Sequence, residues 1–156
     1  MTEAAEITTE RIASPIGDML LQHDGVALIG LDFDDRDVPT AEGRSVFARA
    51  VRAYFAGEIA ALEGLPVRVR GTPFETSVWQ ALRRIPVGHT WSYGQLAAAL
   101  DRPKAVRAVG RANGRNPVAL VLPCHRVIGS DGRLVGYGGG LERKVWLLRH
   151  EGALVV

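Results

Sequence analysis

Cysteine is all but missing: Cys124 is the only one in 156 residues. That excludes an intrachain disulfide and any multi-cysteine zinc site, and it fits a reducing compartment where a free thiol survives. Long apolar runs are missing too, since none approaches the ~20 residues that cross a bilayer. The opening MTEAAEITTE is acidic and has no apolar core, so it does not read as a secretory signal. A soluble cytoplasmic protein without membrane partners is expected, nucleoid-associated if its source is bacterial. His23, His89 and His150 have no metal-ligand spacing, and no bound metal is expected. Internal repeats and low-complexity tracts are also absent.

A chain of this length suits one domain or two small lobes and buries enough surface to fold without staples. Its net charge of +2 hides an asymmetry. Residues 1–70 carry 12 acidic and 7 basic side chains, whereas residues 71–156 carry 5 acidic and 12 basic. A basic half beside an acidic one points to a polyanionic partner if its cations line up.

The pattern predicts an α+β fold. DMLLQ and VALIGLDF flank HDG, a hairpin signal within a β-rich stretch at 11–33. RSVFARAVRAYFAGE (44–58) has apolar residues at helical spacing and Gly57 to close the helix. GLPVRVRGTP (64–73) reads as a short strand and a junction. PFETSVWQALRRI (73–85) is helical again, with Phe74, Val78, Ala81, Leu82 and Ile85 on one face. Two regions follow: a small N-terminal lobe with an antiparallel sheet and helix over 1–70, and a mostly helical lobe over 71–156. Trp79, Trp91 and Trp146 read as core residues.

Ser92 and Gln95 have capping-box spacing, so a helix should start at Tyr93 and reach about Leu100. Pro103 suits the first turn of a second helix, which would run to Ala112 and stop at a left-handed cap on Asn113-Gly114. Such a pair is a helix-turn-helix pattern. On the second helix Lys104, Arg107 and Arg111 fall within about 60° of one another, with Val106 and Val109 facing away. Arg115 extends the cationic line, and residues 102–115 hold no carboxylate. Ala105, Ala108, Gly110 and Ala112 leave the backbone thinly covered. These features together point to nucleic acid.

NPVALVLPCHR reads as a buried strand from Val118 to Leu122, ended by Pro123. Cys124 then sits on a turn, where a nucleophile is well held. Attack needs thiolate, so either the thiol's pKa falls or a base takes its proton. His125 can serve as base or relay, and Glu151 is the best placed of the later carboxylates to orient it. The glycines at 138–140 lack P-loop spacing and, taken alone, read as turn residues.

PCHRVIG, the helix pair ending in RAVGRANGRNP, and the GYGGG turn before WLLRHEG together resemble the O6-alkylguanine-DNA alkyltransferases over about residues 73–153. The N-terminal lobe matches only in length and in its hairpin-plus-helix order. The resemblance implies direct-reversal DNA repair: an alkyl group leaves guanine O6 of a flipped-out nucleotide for Cys124, once per molecule and without a cofactor. It implies that His125 draws the thiol proton through a water with Glu151 behind it, and that Tyr93 protonates the departing guanine. Asn116 would tie the recognition helix to the cysteine turn, and Pro123, Tyr137, Gly138 and Gly139 would line the base pocket. Arg107 would fill the gap in the base stack. Lys104, Ala105, Ala108, Gly110, Arg111 and Arg115 would meet the minor groove of double-stranded DNA carrying O6-alkylguanine, bound by a monomer. Arg111 and Arg115 stand where the family often has small or uncharged residues, and Gly138 replaces a somewhat larger one. Two other readings stay open: a DNA-binding or damage-sensing module without chemistry, and a Cys-His-Glu hydrolase with repeated turnover.

Overall fold

The computed structural model describes residues 6–153 of the chain, which divide into two compact units after Val69. Among the described residues no helix is long and apolar enough to cross a membrane.

Among its described residues the first unit holds a three-stranded antiparallel sheet, one α-helix and a short 3-10 helix, Ile59–Leu62. β1 (Thr8–Ile12), β2 (Met19–His23) and β3 (Leu28–Phe33) lie in the order β1-β2-β3. The expected hairpin is β2–β3. Its turn is built by Asp24, whose carboxylate accepts from the Val26 and Ala27 amides at 2.9 and 2.8 Å, while Gly25 takes φ +89°. A register shift at Gln22/His23 accompanies the turn. α1 (Val46–Phe55) is capped by Ser45 and buries Phe47, Ala48, Val51 and Tyr54. Glu10 holds the helix start to β1: its buried carboxylate accepts from the Arg44 and Ser45 amides at 3.0 and 3.2 Å. The strand expected over 64–73 is reduced to an isolated parallel bridge between Leu28 and Val67. Pro66, with no N–H to donate, interrupts any longer ladder.

In the second unit α2 (Pro73–Leu82) opens with a capping box between Thr72 and Glu75 and has Pro73 in its first turn. It buries Val78, Trp79, Ala81 and Leu82, with Ile85 buried just beyond. The Trp79 indole N–H donates to the Ala112 carbonyl at 2.7 Å, tying this helix to a later one. β4 (Trp91–Ser92) leads directly into α3 (Tyr93–Ala99), which has the expected Ser92/Gln95 capping box. Its end is a Schellman turn: Arg102 N–H donates to Ala97 and Asp101 N–H to Ala98, both at 3.0 Å, with Asp101 at φ 58°.

The second helix of the pair, α4 (Val106–Gly114), begins three residues later than expected. Arg102 to Ala105 complete the turn, and Pro103 stiffens that turn without starting the helix. Its far end also differs. Asn113 and Gly114 remain helical, and Arg115 is the cap at φ −98°, so no left-handed cap forms.

The largest correction falls on Val118–Leu122, which forms no strand: Val118 makes a single bridge, turns follow it, and all but Ala119 are buried. Leu122 N–H donates to Val118 at 3.1 Å and Val121 N–H to Ala119 at 2.8 Å. An unbroken apolar run reports burial, and burial alone does not specify an extended backbone. A short 3-10 turn, Cys124–Arg126, leads into β5 (Val127–Ile128), which pairs in parallel with β4. α5 (Leu141–His150) closes the unit.

Candidate active site

Cys124 therefore precedes a strand instead of following one. The segment before it is held by a single side chain. Asn116 Nδ2 donates to the Leu122 carbonyl at 2.6 Å, and its Oδ1 accepts from the Val118 amide at 2.9 Å. Within this clamp Leu120 sits at φ 70°, a left-handed conformation that costs a non-glycine residue about 1–2 kcal/mol. Asn116, just after α4, thus ties both ends of the segment that leads to Cys124.

The 3-10 turn places His125 and Arg126 directly behind the thiol. His125 is 0% exposed, and its Nε2–H donates to Glu151 Oε2 at 2.8 Å. Arg126 grips the same carboxylate, from Nε to Oε1 at 2.8 Å and from its terminal nitrogen to Oε2 at 3.1 Å. A further Arg126 nitrogen donates to the Ile85 carbonyl at 2.8 Å. Burial would raise the Glu151 pKa, but the hydrogen bonds and charges of His125 and Arg126 outweigh it and bring it to about 2. Burial pushes the His125 pKa down, against the pull of Glu151. We assign His125 as neutral because Arg126 already balances the carboxylate and a second buried cation would be unpaired. With Nε2 carrying the proton, Nδ1 is a basic lone pair, and among the described residues it meets no hydrogen-bond partner.

Cys124 is 8% exposed. Burial raises its pKa, and a hydrogen bond from Asn116 and the charge of Lys144 only partly offset this. The thiol is protonated at rest, so the chemistry needs a base. Lys144 itself is 0% exposed and donates to the carbonyls of Val127, Val135 and Gly136 at 2.6, 3.1 and 3.1 Å. It pins β5 to the loop before α5. Burial lowers its pKa to about 8, and the nearby Cys124 acts in the opposite sense.

Tyr93, the first residue of α3, is half-buried and donates to the Val135 carbonyl at 3.2 Å. Burial raises its pKa, opposed by the amide of Asn113. Close to it lie two glycines: a Cβ on Gly110 would stand 3.8 Å from the Tyr93 ring, and one on Gly136 would stand 3.9 Å from its hydroxyl. Asn113, also buried, points its Nδ2 at the Cys124 carbonyl at 3.5 Å. Pro123 is buried beside the thiol, Tyr137 and Gly139 are half-buried, and Gly138 is exposed.

The cationic line is less regular than helical spacing suggests. Arg107 and Arg111 lie exposed on α4. Lys104 and Ala105 belong to the turn, where with Asp101, Arg102 and Pro103 they line an open hollow of about 540 Å³. Arg115 faces Glu75 at 3.6 Å, so a carboxylate distant in sequence meets the end of the line. Val109 packs inward as expected, but Val106 is 38% exposed because it opens the helix instead of lying within it. Ala108 and Gly110 are half-buried, and Ala112 is buried.

Sequence reasoning missed Arg126, Lys144 and Asn113 as parts of this site. The first reads only as a cation beside the thiol. The only signal for Lys144 is a lysine on an otherwise apolar helix face, which leaves it nowhere to go except inward.

One unit thus holds a cysteine next to a buried His-Glu pair and a helix-turn-helix whose second helix carries exposed arginines, the arrangement of a thiol protein with a nucleic-acid-binding type of motif. Residues 73–153 match the family described as 6-O-methylguanine DNA methyltransferase, DNA binding domain. The methylated-DNA–protein-cysteine methyltransferase of Salmonella typhimurium is 60% identical over 103 residues, covering 66% of this chain and 60% of that protein. That of Mycobacterium leprae is 47% identical over 146 residues and 88% of each chain. A crystal structure of Mycobacterium tuberculosis OGT in complex with DNA superposes with a TM-score of 0.83 at 43% identity, covering 93% of this chain and 92% of that one. The chain belongs to the O6-methylguanine-DNA methyltransferase family.

Proposed function

We propose that the protein repairs DNA by direct reversal, moving an alkyl group from guanine O6 to the sulfur of Cys124 in a single turnover. The observation that carries this reading is the fixed order Cys124–His125–Glu151, in which the imidazole is neutral with Nε2 committed to the carboxylate. Its free Nδ1 is the base the raised thiol requires. The thiol proton passes through a water to His125. The thiolate attacks the alkyl carbon as the carbon–O6 bond breaks, and Tyr93 gives its proton to the departing guanine. Imidazolium formed in this way is stabilised by Glu151, and the thioether product leaves Cys124 spent.

Residues 71–156 act as the DNA-binding and alkyl-acceptor domain. A stacked base is out of reach, so the nucleotide must leave the helix at a cost of a few kcal/mol. Arg107, exposed near the start of α4, fills the gap. α4 lies in the minor groove, where its small residues admit the backbone closely. Lys104, Arg111 and Arg115 meet phosphates, and Pro123, Tyr137, Gly138 and Gly139 border the base. The protein works as a monomer in the cytoplasm. The names of the relatives and the DNA-bound neighbour support this reading.

Intact mass after mixing with a duplex holding one O6-methylguanine tests it. The expected gain is one methylene, abolished in Cys124→Ala. An unchanged mass would leave a DNA-binding module, and loss of the methyl group without a lasting adduct would mean a hydrolase.

A further inference from the structure

α4 carries two exposed arginines along the line that points straight away from its packed face. At about 100° per residue, Arg107 and Arg111 lie about 40° apart, and each is about 150° or more round the helix from the centre of the buried Val109, Ala112 and Asn113. Arg107 fills the base stack in the proposed function. Arg111 points the same way one turn on, so it lies over the middle of the same groove. Its charge is not spent within the protein: Arg115 faces Glu75 at 3.6 Å, whereas Arg111 makes no ion pair among the described residues. The helix surface around it is bare. Gly110 precedes it, and Gly114, three residues beyond, has nothing within 4 Å of where a Cβ would stand. Gly114 is helical, so neither its backbone nor its packing asks for glycine, which weakens a helix relative to alanine. The room it leaves lies outside the protein, where a groove wall comes close.

We infer that Arg111, besides neutralising phosphate, reads the width of the minor groove and gives repair a preference for lesions with A·T pairs on one side. This rests on the proposed function. A cation over the middle of the groove gains most where the two phosphate rows close in on it, and A-tracts narrow the groove and deepen its negative potential. A guanine amine, by contrast, stands on the groove floor in the way of the guanidinium. The step from Arg107 to Arg111 is about 6 Å, or about two base pairs. The pairs that count therefore lie beyond the lesion's immediate neighbours. Because α4 has one direction, they lie on one flank only.

Competition between duplexes for a limited amount of protein tests this, with the methyl group left on each O6-methylguanine as the readout. The lesion and the pair on either side of it are the same in every duplex, which holds the stacking lost on flipping constant. Beyond them a run of A·T pairs stands on the 5′ side, on the 3′ side, or is replaced by G·C on both. The parent is expected to favour one A·T arrangement over the G·C duplex by about two- to fivefold, the scale of one exposed charge interaction, and to treat the other as it treats G·C. In Arg111→Ala, a surface substitution that leaves the fold intact, the ratio should fall toward one. Exchanging adenine for 2,6-diaminopurine in the favoured duplex returns an amine to the groove floor and should abolish the preference of the parent. A preference for neither or both A·T arrangements overturns the inference, as does a ratio that survives Arg111→Ala or the diaminopurine exchange. Transfer without the ratio removes only the role of Arg111; no transfer from any duplex removes the functional reading beneath it.

Discussion

Replacing Glu151 by glutamine keeps the side chain's size and one acceptor oxygen but removes the charge shared by His125 and Arg126. Arg126 would then be a buried cation with only neutral partners, the Ile85 carbonyl and the one amide oxygen that remains. Removing one member of a buried ion pair typically costs about 3–5 kcal/mol, and for a chain of this size that lowers Tm by about 10 °C. The acid limb should change with it. In the folded protein Glu151 is held at about 2 against an ordinary 4.5, so it contributes about 3 kcal/mol above pH 4.5 that is lost as pH falls toward 2. His125, held below its ordinary 6.5, contributes stability above pH 6.5 that begins to fade below it. The parent should lose stability in two stages, and Glu151→Gln should lack the lower one. Urea melts from pH 8 to 3 measure both. A second variant separates structure from chemistry: Arg126→Met with Glu151→Leu removes both charges and should recover much of the stability while alkyl transfer stays slow. A glutamine variant melting within about 2 °C of the parent, with the same acid limb, would refute this account of the buried network.

Lys144→Met should cost about 2 kcal/mol through the carbonyls it leaves unpaired and should move the pH dependence of alkylation upward, since the thiolate is deprived of a nearby cation; an unmoved profile would show that Lys144 only pins the loop. The Arg111→Ala/Arg115→Ala double variant should flatten the slope of log K for DNA against log salt, by about 0.9 for each phosphate that is no longer neutralised. Most of that change should come from Arg111, because Glu75 already faces Arg115, and equal slopes for parent and double variant would count against the cationic line. Gly138→Ser adds a Cβ that meets nothing within 4 Å, so stability should hold within about 0.5 kcal/mol while the ratio of benzyl to methyl transfer falls. An unchanged ratio would mean that Gly138 does not set pocket width.

Local chemistry is legible wherever a few neighbouring residues decide the outcome. Ser92 and Gln95 form their capping box, Asp24-Gly25 turns the β2–β3 hairpin, and Gly57 follows α1 at φ +113°. Long-range closure is not legible. VALVL reads as a strand because it is buried, yet Asn116 coils it by bonding both ends of the segment, and nothing in the spacing announces that clamp. Pro103 reads as a helix start, but the left-handed Asp101 and the Schellman turn occupy the residues such a start would need. In the sequence the His125–Glu151 pairing rests on little more than a shortage of other carboxylates. Arg126 stays hidden because a cation next to a cysteine suggests thiolate chemistry before it suggests a buried partner for a distant acid.

The three buried charges also bear on why the thiol is at once guarded and usable. Glu151, Arg126 and Lys144 each give up several kcal/mol of hydration, and apolar residues of similar volume would hold α5 to the cysteine turn at least as firmly. Stability alone does not account for them. Together with burial they set protonation states: Glu151 ionised, His125 neutral, Cys124 a thiol. With the thiol raised and the imidazole lowered, proton transfer between them is uphill in the resting protein. Chance electrophiles and oxidants therefore meet a poor nucleophile. On the proposed chemistry the balance tips only when the sulfur's developing charge passes into a forming carbon–sulfur bond, while Glu151 and Arg126 are already in place around the new imidazolium. A protein that reacts once has good reason to make its nucleophile depend on the substrate in this way.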